Sequence, residues 1–448
     1  MMGIEETAKR LLGLIEKAGA DEGEVFIQKS KGLEINLRDQ EIETLRNMDE
    51  GGFGLRLISG GRLGFVHSSD LRDEALEESV EQAVALAKES QPDEANRLPE
   101  PSGSGPEVDT YDGSFGDIAF ERKLALLRDM ETLSFAYDPA ISRMESVSYD
   151  DGETETVVAN THGVFTHGKS THFSCGVSVM AERDGEVESG GESTESRYFE
   201  NLDPPSRVAS RACWKATSML GAKTIPSQDA MVIFDRDVVY AILRYLFTLV
   251  DGSNIADGLS LLEGRMGEKV ASDLVTVVDD ATIARGVGSR GFDAEGIPSR
   301  QTVILQDGVL TSFVFDSRSA RKAGATSTAN ARRAGFRGLP GVGSSNLYIQ
   351  RGGTSPEKIM ESTDKGLWLM GLAGWWTGIN PSTGGFSSGA KGLWIEGGEV
   401  AHPVRNVTVA SNIIDMLKSV DLVGDDLFFR HAANSPTLRI SEMSVGGA

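Results

Sequence analysis

Residues 23–45 read "GEVFIQKSKGLEINLRDQEIETL", a run in which apolar and polar side chains alternate. A period of two is the mark of a half-buried strand, because successive side chains point to opposite faces. A sheet with one apolar face needs a second layer to cover it, and the neighbouring segments offer one. Glu5 to Ala18 reads as a helix with Leu11, Leu12 and Ile15 on one face. "GFGLRLISGGRLGFVHS" reads as a hairpin turning at Gly60-Gly61. In "DLRDEALEESVEQAVALAKES", Ala75, Val80, Ala83, Val84 and Ala87 recur at helical spacing, and Asp70 is placed to cap the helix.

The Pro/Gly/Ser-rich stretch "QPDEANRLPEPSGSGPEVDTYDGS" reads as a loop leading to a helix over 117–135. Strands are expected near Arg143–Tyr149 and Glu155–Ala159, followed by one long strand over "FSCGVSVMAERDGEVESGGESTESR". A further helix over 206–220 precedes Pro226, which marks a boundary. Beyond it the texture changes. The helix "DRDVVYAILRYLFTLVDG" opens the second half, and short strands with Gly-rich turns dominate the rest, including hairpins on Asp307-Gly308 and Gly397-Gly398. The chain has 448 residues, more than one hydrophobic core usually serves. The reading is therefore an α+β fold: an N-terminal α+β domain over 1–222 and a β-rich, mainly antiparallel C-terminal domain over 223–448.

A net charge of −23 argues against nucleic acid as a direct partner, since phosphates would be repelled. Cys175 and Cys213 have no CxxC spacing, which favours a reducing compartment over a disulfide framework. The first 20 residues are amphipathic and lack the apolar core of a signal peptide, and no run of about 18 apolar residues occurs anywhere. A soluble cytoplasmic protein without a membrane span is the expectation.

Candidate chemistry is thin. "THGVFTHGKSTHF" places His162, His167 and His172 five residues apart. On a straight strand, His162 and His172 share a face but lie roughly 33 Å apart, whereas a zinc site needs ligands converging at about 2.0–2.3 Å. No Asp, Glu or Cys within the segment supplies a further ligand, so turn or strand histidines are favoured over a metal site. No HExxH motif is present. The Gly-rich runs "GLPGVGSS" and "STGGFSSGAKG" read as turns. Arg332, Arg333 and Arg337 form a cluster that could hold a carboxylate or phosphate, although a solvated loop pairing with acidic neighbours is the commoner outcome. In "GWWTGIN", one tryptophan is expected in the core and the other along a ligand groove; Trp375, Trp376 and Asn380 are the candidates for contacting an extended peptide.

Six ordered stretches then carry a resemblance. They are "GGFGLRLISGGRLGFVHSSDL", "ANTHGVFTHGKSTHFSCGVSVMAE", "GRMGEKVASDLVTVVDD", "GFDAEGIPSRQTVILQDGVLTSFVFD", "TSTANARR" and "GINPSTGGFSSGAKGLWIEGGEVAHPV". In this order the chain resembles the TldD/TldE (PmbA) family, named as modulators of DNA gyrase and classed with metallopeptidases. The TldD branch implies a His-Glu-x-x-x-His signature on the helix opening the C-terminal domain, with a further cysteine ligand near the C-terminus. Counted without gaps from "GRMGEKVAS", that signature falls on Leu243, Arg244 and Thr248, and the C-terminal cysteine is missing. The helix carries instead an apolar face of Leu243, Leu246, Phe247 and Val250. This departure matches the TldE/PmbA branch. The resemblance then implies a non-catalytic subunit with no cofactor of its own, paired with a zinc-bearing TldD-type subunit and acting on unfolded or modified peptides. The alternative is a stand-alone homodimeric peptide-binding protein.

Overall fold

The computed structural model describes residues 3–380 and 382–447. Its first half is one antiparallel sheet of six strands in the order β3-β2-β1-β4-β5-β6. These are β1 (Glu22–Arg38), β2 (Glu41–Ser59), β3 (Arg62–Ser68), β4 (Ile141–Asn160), β5 (Phe165–Arg183) and β6 (Glu186–Ser196). Helices α1 (Ile4–Ala18), α2 (Asp73–Glu89), α3 (Phe120–Tyr137) and α4 (Pro205–Thr217) cover one face. Leu11, Ile15, Leu76 and Val80 pack on Val25, Ile27, Phe53 and Val157 at one end. Leu127, Val208 and Ala212 pack on Val147, Tyr149, Cys175 and Val177 at the other. The alternate positions of β4 and β5, among them Ser146, Ser148, Thr154, Thr156 and Ser178, therefore form the opposite, polar face. That face looks toward the second half of the chain.

Several boundaries differ from the sequence reading for identifiable reasons. The two strands expected around 143–159 are the single β4: its polar middle is paired on both sides, Gly152 facing Gly32 of β1 and His172 of β5. The one long strand expected over 173–197 is instead β5 and β6, folded back at Asp184-Gly185, where both φ angles are positive (55° and 81°). This is the Asp-Gly hairpin signal. Asp70 does not cap α2. The helix starts three residues later, and the Asp70 carboxylate accepts from the backbone N–H of Arg72 (3.0 Å) and binds its guanidinium.

In the second half, β7 (Gln228–Phe234) leads into helix α5 (Arg236–Val250). A sheet runs in the order Glu399–Asn412, Gly385–Glu396, Lys365–Ala373, β7, Leu438–Gly446 and Val420–Val423. An additional pairing of Thr408 with Gly446 closes five of these strands into a ring. Only the β7 pairing with Lys365–Ala373 is parallel in this sheet. A smaller five-stranded sheet is built around Val277–Asp280. The run "STGGFSSGAKG" turns only at its start and then enters the strand Gly385–Glu396. Gly392 permits this, because a Cβ there would collide with the Trp368 carbonyl on the adjoining strand. Both halves mix helix and mostly antiparallel strand, so the α+β fold class stands.

Candidate functional site

The α5 sequence is amphipathic, and its two faces have separate jobs. Val239, Ile242, Leu243 and Leu246 are buried in the C-terminal core with Val232, Phe234 and Leu367. The outward stripe of Asp237, Tyr240, Arg244 and Thr248 follows helical spacing. Asp235 caps the helix by accepting from the backbone N–H of Asp237 (3.1 Å). Asp237 and Tyr240 line a cleft of about 700 Å³ whose other wall is the polar sheet face at Ser146, Ser148 and Ser178. Lys215 of α4 and the segment 428–435 complete it.

The charged groups of this cleft are paired. Lys215 Nζ lies 2.7 Å from Glu192 and 2.8 Å from Asp237. Arg211 reaches Asp235 at 2.9 Å and Asp237 at 3.5 Å. Arg430 binds Glu192 and, at 3.3 Å, Asp203. Burial alone would raise the Asp237 carboxyl, but Lys215, Arg211 and Arg236 outweigh it and hold it below the usual range. Glu195 is likewise kept low against its burial by His431 and His172. These carboxylates are therefore ionised and engaged at neutral pH.

The three positions where the resemblance places metal ligands sit as follows. Leu243 is fully buried in the core. Arg244 donates to the Tyr240 hydroxyl (2.8 Å), with its guanidinium 5.5 Å from that ring's centroid. Thr248 donates to the Arg244 carbonyl (3.1 Å). The segment 428–435 brings His431 to the cleft, with Nδ1 3.4 Å from Glu195. Among the described residues, no three His, Cys, Asp or Glu side chains form a group able to hold a metal ion.

The histidine-rich stretch takes its partners from other segments. His167 stands between Glu5 and Glu155 at 2.8 Å each, His172 binds Asp150 at 2.8 Å, and His162 lies 3.2 Å from Glu100 and 3.7 Å from Glu22. His402 lies on a different strand, opposite Trp394. Trp375 is 5% exposed and wedged between Tyr245 and Phe386, with centroids 6.2 and 5.0 Å away. It is a core residue. Asn380 is exposed; its side-chain oxygen accepts from the backbone of Ser382 (3.1 Å) and Thr383 (3.3 Å), and its carbonyl accepts from Tyr245 Oη (2.9 Å). The side chain of Trp376 lies outside the described residues.

Two runs do match chemical motifs in sequence, and the fold denies them the setting that chemistry needs. "GVFTHGKS" spells the phosphate-loop consensus, but Gly168, Lys169 and Ser170 lie inside β5 with no helix following. "GFSSG" spells a nucleophile-elbow motif, but Ser387 is within the strand Gly385–Glu396 rather than on a strand-to-helix turn.

Comparison with known proteins agrees with this architecture. Residues 23–87 match the PmbA/TldA metallopeptidase domain 1, residues 113–220 the central domain, and residues 227–447 the C-terminal domain. The chain is 28% identical to the Haemophilus influenzae metalloprotease PmbA homolog, covering 97% of this chain and 94% of that protein. It is 26% identical to Escherichia coli O157:H7 metalloprotease PmbA, covering 99% and 96%. A Thermotoga maritima structure described as a candidate modulator of DNA gyrase superposes with a TM-score of 0.90 at 26% identity, over 99% of this chain and all of that one. TldE from Thermococcus kodakarensis shares the fold, with a TM-score of 0.90 at 24% identity over 98% of this chain and all of that one. With all three domain models matched in order along its length, the chain belongs to the PmbA/TldD/TldE metallopeptidase-like family.

Proposed function

We propose that this chain is a TldE/PmbA-type, non-catalytic subunit of a cytoplasmic two-subunit peptidase. It pairs with a TldD-type subunit that carries the zinc, and it supplies part of the wall along which an extended, unfolded peptide lies. The observation that carries the reading is the donor set of α5. Leucine has no lone pair, arginine is cationic, and threonine is a poor zinc ligand, so Leu243, Arg244 and Thr248 do not fit the family's metal. His431 alone is one ligand where three are needed.

The polar sheet face supports a binding role. Its serines and threonines offer hydrogen bonds with little preference for sequence, which suits a backbone ligand. Asn380 and Trp376 remain the peptide-contact candidates on the 374–384 loop. Trp375 holds that loop to the core.

The test is reconstitution. The purified chain, a TldD-type subunit and their mixture are each supplied with zinc and an unfolded polypeptide substrate, and hydrolysis is followed by mass spectrometry. Hydrolysis is expected only where the TldD-type subunit is present, to be raised by this chain, and to stop on chelation. Zinc-dependent hydrolysis by this chain alone would overturn the assignment. A stable homodimer that binds peptide but gains nothing from the second subunit would favour the stand-alone reading.

A further inference from the structure

A second cavity, of about 360 Å³, lies on the same polar sheet face beside Thr154 and Thr156 and is roofed by the segments 289–294 and 331–335. Four arginines line it; Arg333 is paired with Glu24, which leaves Arg197, Arg290 and Arg332. Their state is unusual for a chain of net charge −23, in which carboxylates outnumber cationic side chains by 67 to 44. Among the described residues, none of these three has a carboxylate oxygen within 4.0 Å.

Each arginine is held in place by something other than a counter-ion. Arg197 donates to backbone carbonyls, from Nη1 to Thr171 (3.0 Å), from Nε to Gly286 (3.4 Å), and from Nη2 to Val287 and Ser289. Arg290 donates from Nη2 to the Ala329 carbonyl (3.4 Å), while its Nε and Nη1 are buried with no hydrogen-bond partner among the described residues. The Arg332 backbone pairs with Gly341, but its side chain is solvent-exposed and makes no hydrogen bond or ion pair among the described residues. Asp293 also lines the cavity, but its oxygens accept from the backbone N–H groups of Glu295 (2.9 Å), Ile297 (3.0 Å) and Ala331 (3.2 Å).

Buried donors without partners and adjacent like charges both cost stability. Burial, and after it the charge of Arg332, hold the Arg197 and Arg290 guanidiniums down to about 10. A bound anion would relieve both costs, and guanidinium forks match the planar or tetrahedral oxygens of carboxylates and phosphates. Arg333, next along the chain, behaves differently: it is buried against Glu24. We propose that the cavity lined by Arg197, Arg290 and Arg332 is a binding site for an oxyanion of the carboxylate or phosphate class, with Arg290 and Arg332 as its principal donors. The site is separate from the α5 cleft and does not depend on the subunit assignment.

The test uses the full-length chain in low-salt buffer, by calorimetric titration and thermal melting. One probe is inorganic phosphate; the other pair is trialanine with a free C-terminus and its C-terminal amide. Saturable binding of phosphate, or of the free acid but not the amide, is expected together with a rise in melting temperature. The first result identifies a phosphate source, the second a peptide terminus. Arg332→Gln removes an exposed, partnerless charge, so the protein should fold and lose affinity roughly tenfold or more. Arg290→Met should melt higher than the native chain without ligand and lose the ligand-induced rise. Absence of saturable binding by every probe, or binding unchanged in both variants, would overturn the proposal.

Discussion

Substituting Arg56 by methionine tests how the two halves of the molecule are joined. Arg56 of β2 is buried and bridges two fully buried carboxylates through Nη2: Glu24 of β1 at 2.7 Å and Glu295 of the second half at 3.1 Å. Burial opposes the Arg56 charge, but the two carboxylates outweigh it and hold its pKa above the ordinary value. Each attraction is of the order of 5 kcal/mol at an effective dielectric of about 20. Removing the guanidinium also removes its desolvation cost of several kcal/mol, and Glu24 keeps Arg333 as a partner. Glu295 keeps one backbone N–H, from Ser317 at 2.9 Å. The expected net loss for leaving that charge buried is about 3–5 kcal/mol. For units of this size it should lower the melting temperature by something of the order of 10 °C.

The pH dependence has a definite sign. Burial raises the Glu295 carboxyl, but Arg56 and the Ser317 contacts lower it further, so its folded pKa lies below the ordinary 4.5. In the native chain its contribution is present above that value and is lost as pH falls through the folded pKa. In Arg56→Met the folded pKa should rise above 4.5. The deficit relative to the native chain should thus be largest at pH 7–8 and shrink as pH falls and Glu295 takes up a proton. Paired urea titrations of both proteins at several pH values would measure it. A deficit under about 1 kcal/mol at pH 7, or one that grows toward acid, would refute the reasoning.

Other consequences can be checked with the same material. Trp375→Ala should cost about 3–5 kcal/mol as a core truncation, whereas Trp375→Phe should cost distinctly less because the indole Nε1 has no partner to lose; equal losses in urea titrations would show that ring size is not what matters. Burial pushes the Cys175 thiol up to about 12, and Cys213 is raised by the same cause. Iodoacetamide at pH 8 should therefore label neither of the two cysteines in the folded protein and both after denaturation, read by intact mass. Gly64→Ala should destabilise the sheet, since a Cβ there would strike the Ala83 carbonyl of α2, and an unchanged melting temperature would contradict that close approach.

The sequence made the sheet framework readable wherever one face was apolar. Alternation located β1, and Gly60-Gly61 located the β2–β3 turn. It was less readable where both neighbours of a strand are strands, as in the polar middle of β4. The α5 helix was legible because its apolar stripe is long, and that stripe already excluded Leu243 as a ligand. The cleft around it was not legible. Arg430 lies 238 residues from Glu192 and meets it, and Asp203, only because the 428–435 segment packs against α4 and β6. The arginine cluster of "TANARRAGFRG" divides in the fold. Arg333 is a buried interdomain partner, Arg337 pairs with Glu50 at the surface, and Arg332 faces the cavity unpaired. Neighbours in sequence gave no sign of that division, because the partners of Arg333 and Arg337 come from β1 and β2, far off in the chain.

Whether this chain holds the family's metal by itself is tested most directly by zinc stoichiometry. The full chain is loaded with zinc, dialysed and analysed for metal per polypeptide, alone and after assembly with a TldD-type subunit. Close to zero zinc is expected for this chain alone and about one per pair in the assembly, carried by the other subunit. About one tightly held zinc in this chain alone, lost on His431→Ala, would contradict it.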